Sequence, residues 1–126
     1  MRTQSSILLL SILGALALSA CGGDDGGGSS SGVDTSKKLV DLSASDKQTF
    51  CAWRVATEGG EGHSTDCGDG ITITTGSVAE CVSGFDSFSA SCTATVGDAE
   101  GCVEASAANE CDPGSACDAI FACITN

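Results

Sequence analysis

Apolar residues gather in short stretches along this chain, and the spacing inside each stretch points to an element. The longest run, Ile7 to Leu18, carries no charged side chain. Arg2 precedes it and the small residues Ser19 and Ala20 follow, the three-part order of a secretory signal over residues 1–20. The run is too short to span a bilayer comfortably, and no other segment is long and apolar enough to do so. Further on, Phe50, Cys51, Trp53 and Val55 follow Leu42-Ser43-Ala44-Ser45-Asp46 and stop before Gly59-Gly60. That pattern predicts a first helix, with Ser43 as its cap and Asp46 favourably placed at its N-terminus. Phe50 and Trp53, three apart, share one of its faces.

A second helix is predicted from Ser77-Val78-Ala79-Glu80, a capping-box spacing, and carries Cys81 and Val82. A third starts near Thr95-Val96-Gly97-Asp98. Val96, Ala99, Val103 and Ala107 then recur at helical spacing, with Cys102 three residues after Ala99. A fourth follows Asp112-Pro113-Gly114-Ser115 and contains Cys117, Ile120, Phe121 and Ile124. The chain is rich in Ser, Thr and acids, so capping spacings count only where an apolar helical pattern follows. Ile71-Thr72-Ile73-Thr74 alternates between Gly70 and Gly76 and reads as a short strand or an extended loop. Ala79-Glu80-Cys81-Val82 and Ala99-Glu100-Gly101-Cys102-Val103 form a faint repeat, each followed by a loop and a further cysteine. The expected fold is small, disulfide-rich and mainly α, with about four short helices and a short β segment near residues 71–74.

Composition divides the chain. Residues 22–35 are rich in Gly and Ser and read as a flexible tether, roughly 20 Å in root-mean-square span. Residues 36–126 form one small domain, too short to rest safely on hydrophobic burial alone. Aromatic residues are few: one Trp, four Phe and no Tyr.

Cysteines supply what the core lacks. The chain has nine. Cys21 ends Leu18-Ser19-Ala20-Cys21, directly after the signal. Setting it aside leaves Cys51, Cys67, Cys81, Cys92, Cys102, Cys111, Cys117 and Cys123. An exported chain meets an oxidising compartment, so this even set predicts four disulfides of unassigned pairing. Cys117 and Cys123 lie six apart, roughly 240° around a helix of about 100° per residue, and cannot pair within one continuous helix.

Leu18–Cys21 and the segment before it resemble the lipobox signal of bacterial lipoproteins. The resemblance implies that the Cys21 thiol receives a diacylglycerol, that the chain is cut before it, and that the new amino group is acylated, commonly with palmitate. Several acyl chains make such an anchor stable, at about 0.8 kcal/mol per buried methylene. Gly22 is not the aspartate that often retains such proteins in an inner membrane, which points to an outer membrane. The expected location is therefore the cell envelope.

Removing residues 1–20 takes Arg2 and moves the formal charge from −12 to −13. Nucleic-acid binding needs a basic footprint, and none exists. No Cys-x-x-Cys occurs, so the thioredoxin-like redox reading lacks its motif. Zinc would need clustered thiolates or several histidines, and His63 is the sole histidine. Neither a metal nor a cofactor is expected. The stretch from Gly59 to Gly70 gathers Glu61, His63, Ser64, Asp66 and Asp69 in a glycine-rich setting. Ser64 and His63 are adjacent and lack a nucleophile-elbow motif, which argues against a hydrolase. Asp66 and Asp69 lack EF-hand spacing. A polar, turn-rich loop tied down by Cys67 is the preferred reading. Trp53 could be a ligand platform, but its setting favours a core role.

Residues 36–126 also resemble small cysteine-rich lipoproteins of myxobacteria. Leu42-Ser43, Phe50-Cys51-Ala52-Trp53, Cys67-Gly68-Asp69-Gly70 and Ala94-Thr95-Val96-Gly97-Asp98 with Cys102 carry the likeness. It implies no activity and no functional residues. Plant lipid-transfer proteins also place eight cysteines on helices, but their adjacent Cys-Cys and their Cys-x-Cys are missing here. The chain reads as a lipid-anchored, non-enzymatic envelope protein with a structural or protein-interaction role, whose expected partners are the membrane, through Cys21, and a further envelope protein. The alternative is a binding module for a small apolar ligand or a cation, and an apolar ligand would call for a pocket lined by Phe50, Trp53, Phe85 or Phe121.

Overall fold

A computed structural model describes residues 30–124. The signal segment, Cys21 and tether residues 22–29 lie outside the described residues. The domain is built from four helices and one two-stranded antiparallel sheet, joined by four disulfides.

Helix α1 spans Ala44–Thr57, α2 Val78–Gly84 and α3 Val96–Ala108. Each starts at a full capping box. The hydroxyls of Ser43, Ser77 and Thr95 accept from the backbone N–H groups of Asp46, Glu80 and Asp98, whose carboxylates accept in return from the cap N–H groups. These reciprocal bonds satisfy N–H groups that a helix start otherwise leaves unpaired.

The fourth expected helix is shorter than its sequence pattern. A 3-10 turn covers Gly114–Cys117, and α4 is a single turn, Asp118–Phe121. Cys117 therefore precedes the helix and Ile124 follows it. So short a helix cannot hold itself, and two disulfides fix it instead: Cys102–Cys117 at its start and Cys92–Cys123 just past its end.

The alternating segment is a strand, β2, over Ile71–Thr74, and it pairs with β1 over Ser64–Gly68. The sequence reading placed a loop at β1. Asp69 and Gly70, both with positive φ (53° and 78°), make the two-residue connection. Asp-Gly suits this type of hairpin turn, because both central residues must enter the left-handed region. The pairing register shifts between Asp66 and Gly68, so Cys67 is the extra residue of a bulge. Bulges re-aim side chains, and here the side chain reaches Cys111, just past the end of α3.

The core forms where α1 and α3 meet the chain before α1. Leu39, Leu42, Phe50, Cys51, Val96, Ala99 and Val103 are buried there, with Phe85, Cys92, Ala94 and Cys123 completing the cluster. Phe50, Phe85 and Phe88 make an edge-to-face chain, with ring centroids 6.0 and 5.5 Å apart. Trp53 is half-buried and packs against Phe50 at 5.6 Å, as a core position requires.

The packed domain starts earlier than residue 36, where composition alone put its edge. Ser31 and Val33 are buried, and the Ser31 N–H donates to the Glu100 carboxylate at 2.8 Å. Thr35 and Lys37 carbonyls accept from Gly97 and Val96 at 2.9 Å each. A Cβ at Gly97 would stand 3.3 Å from the Thr35 carbonyl oxygen, so glycine permits this close approach. The faint repeat is not a structural one. Glu80 caps its own helix, whereas Glu100 binds the incoming chain; Cys81 pairs back to Cys51, whereas Cys102 pairs forward to Cys117.

Candidate apolar binding cleft

The described surface is acidic and polar, with few large apolar side chains exposed. Four large hydrophobic residues stand out as exposed: Phe121 at 60%, Ile71 at 58%, Ile124 at 44% and Ile73 at 40%. Three of them, Phe121, Ile124 and Ile73, border one cleft of about 750 Å³. Its floor includes Phe50, Val55, Phe85 and Val103. α1, α3 and the turn at Phe85 supply the floor, α4 and Ile124 beyond its end supply one lip, and β2 supplies the other.

Cross-links hold these walls in place. Cys51–Cys81 ties α1 to α2, with Cα atoms 5.7 Å apart. Cys102–Cys117 and Cys92–Cys123 fix the α4 lip, assisted by a β-bridge between Phe88 and Ile124 and a 2.8 Å bond from the Ser89 N–H to the Cys123 carbonyl. Cys67–Cys111 ties the hairpin lip to the end of α3. Next to it, His63 Nε2 lies 3.1 Å from Glu110 Oε1. All eight cysteines expected to pair do so.

The charged lining is mostly acidic. Glu58, Glu80 and Glu110 border the cleft, and Arg54 is the basic side chain among its lining residues. Arg54 Nε donates to Glu58 Oε1 at 3.1 Å, so its charge is already met. Glu80 accepts from the Ser77 N–H at 2.7 Å, which holds its carboxyl below the usual range.

The residues that invited a chemical reading have other partners. The Ser64 hydroxyl bonds the Thr74 hydroxyl across the hairpin at 2.8 Å, while His63 faces Glu110. The Asp66 carboxylate accepts from the Gly68 N–H at 2.8 Å and shapes the bulge. Asp69 sits in the turn. No group of three or more His, Cys, Asp or Glu side chains among the described residues is placed to hold a metal ion. No described helix is long and apolar enough to cross a membrane.

Sequence reasoning named Phe50, Phe85 and Phe121 as lining residues of any apolar pocket, and the cleft contains all three. Trp53, named with them, stands behind Phe50 instead. Ile73, Phe88 and Ile124 were not anticipated. A scan against protein-family models, a search of curated proteins and a search of solved structures each return no match.

Proposed function

We propose that this chain is a lipid-anchored cell-envelope protein without enzymatic activity, whose interaction surface is the apolar cleft. One observation carries the reading: three of the four exposed large hydrophobic residues border a single concavity rather than scattering. Leaving them wet is unfavourable by about 25 cal/mol per Å² of apolar surface. A concavity of this volume, largely apolar with a few polar groups at its rim, has the form of a binding site. Four disulfides set its walls in advance, which lowers the ordering cost of binding. The lipobox-like Leu18–Cys21 supports the membrane address.

Two measurements test the two halves. Nile red, a neutral apolar dye, should bind the full chain, and Phe121→Ser should weaken it about tenfold, near 1.4 kcal/mol. Ile71→Ser is the control, because Ile71 is as exposed but does not border the cleft. Equal loss in both variants, or no dye binding, overturns the cleft reading. For the anchor, Cys21→Ser should move the protein from the membrane fraction to the soluble one; an unchanged distribution refutes it.

A further inference from the structure

The chemistry of the cleft restricts what can occupy it. The cleft is half open rather than enclosed, so whatever lies there keeps one side in water. A drug-sized ligand in a pocket typically has roughly 70–90% of its surface buried, and this open trough does not offer that. An amphipathic chain segment matches: its apolar face lies in the trough and its polar face stays solvated. A helix with apolar residues at three- and four-residue intervals presents one such apolar face.

Charge then chooses the polar face. Residues 30–124 contain four basic side chains: Lys37, Lys38, Lys47 and Arg54. Only Arg54 borders the cleft, and Glu58 has taken it. Beyond that pair, Glu80 and Glu110 border it, within a chain of net charge −12. An anionic amphiphile, such as a fatty acid, meets like charge here. So does a second copy of this chain, which carries the same net charge. Like-charge juxtaposition suppresses wrong partners, and opposite charge speeds encounter.

Resting on the cleft as the interaction surface, we propose that its occupant is a basic amphipathic segment of a partner protein. Its apolar side chains would lie on Phe121, Ile124 and Ile73, and its basic ones over Glu80 and Glu110.

The test uses the full chain, exported and purified with its disulfides formed. The probes are an amphipathic Leu/Lys peptide of about 18 residues, long enough to form helix when bound, and its Leu/Glu counterpart. Nile red reports the cleft independently of charge. The Leu/Lys peptide should displace the dye and bind at least about tenfold more tightly than the Leu/Glu peptide, and added salt should weaken it. The double variant Glu80→Gln, Glu110→Gln should lose most of that preference. Gln at position 80 keeps the capping box, so α2 is preserved. Dye binding with equal affinity for the two peptides overturns the inference and leaves the cleft reading standing. Displacement of the dye by phosphatidylethanolamine vesicles but not by the Leu/Lys peptide assigns the surface to a membrane and also overturns it. Dimerisation that buries the cleft does the same. Failure of the dye and both peptides to bind overturns the cleft reading itself, and the inference with it.

Discussion

Removing Cys67–Cys111 separates two accounts of what a disulfide does here. Its half-cystines are 44 residues apart, the longest span of the four. With the other bridges intact, the shortest remaining covalent route runs from Cys67 to Cys92, across to Cys123 and back to Cys111. That route is still about 38 residues, so the loop is hardly shortened by its neighbours. The chain-entropy relation then assigns roughly 4 kcal/mol at 25 °C to this bridge. Cys102–Cys117 closes only 15 residues and is assigned about 3 kcal/mol. Packing predicts the opposite order. Cys111 is exposed and Cys67 half-buried, whereas Cys117 is fully buried against α3, so its loss adds a cavity. The assay is urea denaturation of Cys67→Ser/Cys111→Ser and Cys102→Ser/Cys117→Ser, compared at equal m-value. The first pair should lose about 4 kcal/mol, a ceiling that falls if the freed hairpin frays. A loss below about 1 kcal/mol, with the second pair losing far more, would refute the entropic reasoning and leave packing as the source of stability.

Three further outcomes are expected. Thr95→Ala removes the cap of α3 and should cost about 1 kcal/mol, read as a lowered denaturation midpoint; Thr93→Ala nearby should be near neutral. Acid should destabilise the fold. The Asp46 carboxyl is held below its usual range first by the Lys37 ammonium and then by Ser43, and Glu80 by the Ser77 N–H. Folded values below the unfolded ones mean stability that is complete above about pH 5 and lost as pH falls through the folded values. Melting temperature should therefore drop between about pH 4 and 2, and less steeply in Asp46→Asn/Glu80→Gln. Finally, limiting dithiothreitol should open Cys67–Cys111 first, because each of the other three bridges includes a buried cysteine; mass-mapped alkylation that finds Cys92 or Cys123 first contradicts this.

The helix starts, the cysteine parity and the class of fold are consequences of sequence alone, because each depends on neighbours a few residues apart. Ser43 and Asp46, Ser77 and Glu80, and Thr95 and Asp98 find each other across three residues whatever the rest of the chain does. The hairpin was equally local: Asp69-Gly70 ahead of Ile71-Thr72-Ile73-Thr74 is a turn signal, though the polar character of Ser64–Gly68 hid the partner strand. Cysteine pairing was not local. About a hundred arrangements fit eight cysteines, and the choice among them depended on the Cys67 bulge and on how α1, α2 and α3 pack. The burial of Glu100 and the length of α4 depended in the same way on distant segments, the strap at Ser31 and the bridges at Cys117 and Cys123. The cleft belongs wholly to tertiary structure. Phe50, Ile73, Phe121 and Ile124 come from four separate stretches, and no periodicity within any one of them records that they meet. Pattern reports which side of an element is apolar; only packing decides which apolar sides remain uncovered.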